Sequence, residues 1–149
     1  MSPASLAEKG TESGEQKAVF AWAAMAAYKG FHWANDERAY TTAGQSAAPM
    51  VPRPVPELRW LHAIPNGGKR DPVTAARMKA EGARTGVADI CLPVPRHGFH
   101  GLYIEMKKSG GRLSKEQVEF GAFVTEQGFS WQECVGWQEA VALLQKYLT

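Results

Sequence analysis

The sequence predicts an α/β fold, a mixed β-sheet flanked by helices, and three observations carry that expectation. Segments of helical and strand periodicity follow one another in the order helix, strand, helix, hairpin, helix, strand, helix. A chain of 149 residues, 44% hydrophobic and 21% charged, has the size and composition of one folded domain, able to bury roughly 68–70% of its unfolded surface. The longest apolar run, Ala18 to Ala27 between Lys17 and Lys29, falls short of the ~20 residues that cross a bilayer, so no membrane is expected as a partner.

Residues 1–12 are small and polar without a period, and read as a frayed, flexible N-terminus ahead of a single domain over 13–149. Ser13 to Gly30 is expected as the first helix, with Ser13 as cap, Gln16 at capping-box spacing and Gly30 as stop. Val19, Phe20, Ala23, Ala26 and Ala27 form its candidate buried stripe. Residues 31–58 have no clear period and hold Pro49, Pro52, Pro54 and Pro56, the pattern of a long surface connection. Leu58 to Ile64 reads as a short strand ending at Pro65-Asn66-Gly67-Gly68. Asp71 and Pro72 then start a second helix, punctuated by Gly82 and Gly86. Val87 to Val94 and Leu102 to Lys107 form a hairpin about Pro95-Arg96-His97-Gly98. Ser114 opens a helix that ends near Gly128, Ser130 to Val135 is a strand, and Trp137 to Leu148 is a final amphipathic helix.

Several function classes fall away. No charged-then-apolar leader is visible, which makes the cytoplasm the expected compartment. Cys91 and Cys134 are far apart and in no CxxC pair, against a disulfide scaffold or a cysteine zinc site. His32, His62, His97 and His100 have no ligand spacing beyond His97-x-x-His100 in a turn, and no P-loop, GxSxG or dinucleotide fingerprint occurs. Charge is uneven: residues 59–115 carry eleven Lys/Arg against four Asp/Glu, a net +7 inside a chain whose total is +2. Such a block is the footprint of a phosphate-backbone partner or, equally, a solvated basic surface.

The hairpin is more informative. Symmetric folding about His97 places Asp89 opposite Glu105 and Leu92 opposite Leu102. Alternation then sends Leu102, Ile104 and Met106 to the core and Tyr103, Glu105 and Lys107 to the other face, beside Asp89. Facing carboxylates repel, so a cation belongs between them. Lys107 supplies part of that charge, and a hard divalent ion such as Mg²⁺, which takes oxygen ligands and retains waters, supplies more. Acid pair, ion and lysine are the parts of metal-assisted phosphodiester hydrolysis. An exposed hairpin with a Glu–Lys surface pair has the same bare pattern.

Gly86-Val87-Ala88-Asp89, Glu105-Met106-Lys107 and Gln117 resemble the motif series of the VRR-NUC family, the virus-type replication-repair nucleases of the PD-(D/E)XK superfamily. Ala63-Ile64-Pro65-Asn66-Gly67-Gly68-Lys69-Arg70 and Ala75-Ala76-Arg77-Met78-Lys79-Ala80-Glu81-Gly82 resemble small stand-alone members from phages and prophages, and the similarity runs from about Gly14 to Leu148. Ala88 departs from the pattern, standing where the superfamily has proline. The resemblance implies a PD-(D/E)XK, restriction-endonuclease-like core and Mg²⁺- or Mn²⁺-dependent cleavage of DNA. It implies Asp89, Glu105 and the Met106 backbone carbonyl as metal ligands, with Glu15 as the acid from the first helix. It further implies Lys107 as the catalytic lysine and Gln117 as a polar partner, in a homodimer acting on branched DNA such as four-way junctions or flaps.

Several of these residues have a structural reading beside the functional one. Glu15 suits the positive end of a helix dipole, and Ser114-x-x-Gln117 is a capping box. Asn66-Gly67 is a turn sequence, or a loop that brings Asn66, Lys69 and Arg70 to DNA. Arg77, Lys79 and Arg84 are solvated or contact the phosphate backbone, and Lys108 and Arg112 sit in a Gly-containing loop placed to hold a phosphate. The tryptophans are assigned to core or interface. The leading expectation is a structure-selective endonuclease. A catalytically silent DNA-binding module of the same fold, and a restriction-like sequence-specific nuclease, are the alternatives.

Overall fold

A computed structural model describes residues 1–41, 51–65 and 70–149. Helix α1 (Pro3–Ala7) precedes α2 (Glu12–Lys29) and α3 (Phe31–Ala34). Two 3-10 turns, Glu37–Tyr40 and Pro56–Trp60, lead to β1 (His62–Ala63). There follow α4 (Pro72–Ala80), β2 (Ile90–Leu92), β3 (Leu102–Lys107), α5 (Lys115–Glu126), β4 (Ser130–Val135) and α6 (Trp137–Leu148). The four strands form one sheet in the order β1-β2-β3-β4, with β1–β2 and β2–β3 antiparallel and β3–β4 parallel. This is the mixed sheet between helices that the sequence predicts.

One sheet face carries the core. Ile90, Leu92, Leu102, Ile104 and Met106 pack there with Val19, Trp22, Ala23 and Ala26 of α2 and Ala140, Val141 and Leu144 of α6. The other face is covered by α5, where Phe120 meets Tyr103 edge-on with ring centroids 5.2 Å apart and Gly121 lies against the Trp131 indole. β3 is therefore sandwiched along its length, so Glu105 and Lys107, expected to point away from the core, are themselves buried, at 1% and 8% exposure.

Sequence boundaries shift in four places. Residues 1–12, expected as a frayed end, carry α1: Ser2 caps it by accepting from Ser5 N, and Pro3 is its buried first residue. Gly14 lets α1 approach α2, since a Cβ there would lie 2.8 Å from the Leu6 carbonyl oxygen. Helix α2 starts at Glu12 rather than Ser13 because Thr11, not Ser13, provides the cap, accepting from Gly14 N at 3.0 Å. Its buried stripe gains Ala18 and Trp22, while Phe20 and Ala27 lie at the margin of the core. The connection 31–58 is not structureless in its described part, because α3 and two 3-10 turns occupy it. Within it, Arg53 N donates to the Lys29 carbonyl at the end of α2, where helical partners run out, and Val55 N donates to the Ala26 carbonyl, which also accepts from Gly30 N. The strand expected over Leu58–Ile64 shrinks to His62–Ala63. Leu58 and Leu61 are both buried at a spacing of three, the period of the 3-10 turn that Pro56 opens, rather than the period of two a strand needs.

The hairpin register agrees with expectation: Ile90 pairs with Ile104, Cys91 with Tyr103 and Leu92 with Leu102. Strand β2 is three residues long, but the ladder continues through Asp89, whose N–H donates to the Ile104 carbonyl and whose carbonyl accepts from Ile64 N. Gly86 secures the approach to Asp89. Its φ is +91°, and a Cβ would fall 2.6 Å from the Glu116 backbone, so both conformation and space demand glycine. Gly86→Ala is expected to destabilise the protein by at least about 2 kcal/mol. Gly82→Ala (φ +107°, nothing within 4 Å of the Cβ) meets only the conformational penalty. Urea melts of the two variants check this, and equal losses would remove the role given to the Glu116 contact.

Candidate active site

The acidic hairpin end and two helix starts meet at one cleft. Asp89 comes from the chain entering β2, Glu105, Met106 and Lys107 from the end of β3, Ser114 and Gln117 from the start of α5, and Glu12, Ser13, Gln16 and Lys17 from the start of α2. All of them line a cavity of about 890 Å³. Each is held by a local cause. Met106 N donates to Asp89 Oδ2 at 2.7 Å, fixing the aspartate to the neighbouring strand. Lys107 has its backbone carbonyl bonded by Gly136 N, and its Nζ lies 3.7 Å from Glu105 Oε1 and 3.9 Å from Glu12 Oε1.

Gln117 serves both of the roles that its sequence context offers. Its Oε1 accepts from Ser114 N at 2.8 Å while Ser114 Oγ accepts from Gln117 N, completing the capping box of α5. Its Nε2 donates to Glu105 Oε1 at 2.7 Å. Because the cap occupies the amide oxygen, the amide nitrogen is turned toward the carboxylate.

Glu105 is the electrostatic centre. Its Oε2 is buried and receives no hydrogen bond among the described residues, although buried polar atoms as a rule are bonded. Burial, and then the neighbouring Asp89 charge, push its pKa up to about 8. Lys107 only partly opposes this. Lysine at 3.7 Å is beyond hydrogen-bonding distance, which leaves that compensation incomplete.

Other expected site residues lie apart from this cleft. Glu15 faces α6: its Oε2 accepts from Trp137 N at 2.7 Å and caps that helix, which starts on Gly136 with no side-chain cap of its own. Glu12, one turn earlier, is the α2 acid that reaches the cleft. On a helix, residues 12 and 16 differ by roughly 40° and residue 15 lies roughly 60° to the other side, so Gln16 follows Glu12 into the cleft and Glu15 turns away. Glu12, Gln16 and Lys17 were not singled out from the sequence. The signal available, acids at 12 and 15 on one helix, does not say which level of α2 meets the end of β3. Arg70, Arg77, Lys79, Arg84, Lys108 and Arg112 are all exposed and outside the cleft lining, and Asn66 and Lys69 lie outside the described residues.

A hard divalent ion fits the donor set. Two carboxylates converge, one of them with a buried oxygen that lacks a donor, and a backbone carbonyl and water can complete the shell of an ion that retains several waters. Among the described residues no group of three or more His, Cys, Asp or Glu side chains is gathered as a metal cluster, so the protein's share of such a shell is small.

The family comparison places this fold among nucleases. The sequence matches the VRR-NUC domain over residues 58–138, more than half of the chain, and the chain belongs to the VRR-NUC family, whose members are nucleases and generally metal-dependent. The matched range contains Asp89, Glu105, Lys107 and Gln117 but neither Glu12 nor Glu15. A solved structure named "VRR_NUC domain protein" shares the fold, with a TM-score of 0.61 and 22% identity over 93% of this chain and 88% of that one. No curated protein matches.

Glu105 also sets the pH dependence of the metal-free fold. The folded chain keeps its proton to about pH 8, whereas the unfolded chain loses it near the ordinary 4.5. Between those values the unfolded state binds fewer protons, so stability falls as pH rises. Glu105→Gln keeps the shape and an acceptor for Gln117, and removes the charge. In EDTA, the Tm of wild type relative to this variant is expected to drop by several degrees between about pH 5 and pH 8. A difference that stays constant or grows in favour of wild type contradicts the assignment.

Proposed function

We propose that this protein is a Mg²⁺- or Mn²⁺-dependent endonuclease that hydrolyses phosphodiester bonds in branched DNA as a homodimer, in replication, recombination or repair. The observation that carries the reading is the buried, underbonded Glu105 carboxylate beside Asp89 and Lys107 in an open cleft. A purely structural site gains nothing from that arrangement, and a silent binding module is more stable with the acids neutralised.

In this reading Asp89, Glu105 and the Met106 carbonyl hold the ion, with Glu12 in the part first expected of Glu15. The ion supplies positive charge to the phosphoryl group in the transition state and activation of a water. Met106 N–H fixes Asp89 through Oδ2, and Gln117 Nε2 fixes Glu105 through Oε1, so each carboxylate presents its other oxygen in a set direction. Lys107 Nζ, held in reach of Glu105 and Glu12, orients the attacking water by hydrogen bonding and stabilises charge on the phosphate oxygens. Gln16 and Lys17 on the opposite wall supply a donor and a cation for the strand entering the cleft. A homodimer would suit a branched substrate, because two-fold symmetry presents two equivalent sites to the two strands that must be cut in a junction.

Asp89→Ala, Glu105→Gln and Lys107→Met are each expected to lower Mg²⁺-dependent cleavage of a four-way junction by at least about a hundredfold, and EDTA to abolish it. Glu12→Gln is expected to impair cleavage more than Glu15→Ala, whose main effect is a Tm lowered by a few degrees through loss of the α6 cap. Wild-type rates from either acid variant at 89 or 105 would overturn the site. Equal rates on junction, flap and linear duplex would overturn the branch preference, and a sedimentation mass of one chain at working concentration would overturn the dimer.

A further inference from the structure

Helix α4 (Pro72–Ala80) differs from every other described helix in burying no residue. Val73 is 79% exposed. Nine residues are too few for a helix to be stable by itself in water, and this one is held by local signals: Pro72 at its first position, and Asp71 as cap, accepting from Thr74 N at 3.0 Å. Thr74, Ala75 and Met78 are half-buried and its other residues are exposed, so most of its surface is open to a contact outside the chain.

Its charges indicate what it meets. Arg70, Arg77, Lys79 and Arg84 are exposed on and around it. Of the two acids in the same stretch, Asp71 is committed to the cap, and Glu81 lies 3.9 Å from Arg77 with both side chains largely exposed, a pairing of little strength. Its position indicates where. Thr85, Gly86 and Val87, directly after Arg84, line the catalytic cleft, and Gly86 is pinned against the backbone of Glu116 at the start of α5. The base of the arm is therefore fixed in the lining of the cleft, so the chain leading from α4 borders any polyanion held there. The helix is about 13 Å long, and duplex DNA presents roughly one charge per 1.7 Å of axis, so several phosphates come within reach of its cations.

We propose that α4 is a duplex-docking arm, in which Arg77, Lys79 and Arg84, with Arg70 at its root, hold the phosphate backbone of the double-stranded DNA flanking the cleft. This rests on the reading of the cleft as a DNA-cleaving site, but it separates from it because docking needs no ion and no turnover. The Val73, Ala76 and Ala80 side of the helix offers the rival occupant, a second copy of this chain.

The test measures binding of a fluorescein-labelled linear duplex in EDTA, where nothing is cut, as salt rises from roughly 50 to 200 mM. It compares wild type, Lys146→Gln, which removes an exposed lysine of α6 outside the cleft, and the triple variant Arg77→Gln/Lys79→Gln/Arg84→Gln, each checked for fold by circular dichroism. Wild type and Lys146→Gln are expected to bind with a steep salt dependence. The triple variant is expected to bind at least about tenfold more weakly at the low end, with a log–log slope smaller by about 2–3, the loss of three phosphate contacts. Unchanged affinity and slope in the triple variant overturn the proposal. So does a folded triple variant whose mass by light scattering drops from two chains to one, which makes α4 a contact between copies. Absence of Mg²⁺-dependent cleavage alongside the expected binding result would instead remove the nuclease reading and leave the docking arm standing.

Discussion

A carboxylate with 1% of its surface exposed, next to a second carboxylate and with one oxygen lacking a donor, is the constraint around which the rest of this structure is arranged. An unpaired buried charge is not tolerated in a protein interior. It is neutralised by a proton, by a counter-charge, or by a bound cation. Lys107 provides only part of a counter-charge, because at 3.7 Å it does not hydrogen-bond and it lies between two glutamates. The proton is the answer available to the fold alone, and it is the one that the upward shift of Glu105 describes. A divalent ion held by Glu105 and Asp89 would displace that proton, so metal affinity and proton affinity would compete for one group.

The surrounding architecture keeps that group in place. The core face of the hairpin, with Ile90, Leu92, Leu102 and Ile104 all fully buried, locks the register, and a slip of one residue would turn every side chain to the opposite face. The geometry of the acids is thus fixed by the apolar residues on the other side of the same strands. Two helices begin at the cleft, α2 with Glu12 and α5 with Gln117. In α5 the cap and the active-site contact are one side chain: the hydrogen bond that satisfies the helix start also aims the amide at Glu105.

Most of this was legible in the sequence where a short-range rule governs. The hairpin register followed from symmetry about His97, the start of α4 from Asp71-Pro72, and the capping use of Gln117 from Ser114-x-x-Gln117, while its place near Glu105 was implied only by the family resemblance. What was not legible depends on how elements seat against one another. Glu12 and Glu15 sit on one helix three residues apart, and only the docking of α2 against β3 and α6 decides that the first faces Lys107 and the second caps α6. The burial of Glu105 and Lys107 was hidden for the same reason. Strand alternation gives the face a residue points to, but it does not reveal that α5 covers that face. Leu58 and Leu61 misled because a run of seven residues between Pro56 and Pro65 satisfies both a strand and a 3-10 turn until the spacing of its buried members is known.

The contrast between Gly86 and the helix before it shows how one segment can be rigid at its base and unpacked along its length. Gly86 is confined on both counts that matter, a positive φ and a backbone neighbour with no room for a Cβ. Ala88 and Asp89 follow in fixed geometry, so the acid is delivered to β3 whatever happens upstream. Helix α4 has fewer such contacts, since none of its residues is buried and only Thr74, Ala75 and Met78 are half-buried. Little in the packing of the domain resists a change in its position, and little of the domain's stability resides in it. A segment of that kind can adapt to a large, irregular polyanion without transmitting the adjustment into the acidic site. The acidic cleft is built from strand ends and helix caps whose hydrogen bonds fix its side chains, whereas the cations of α4 stand exposed on a helix that buries none of its residues.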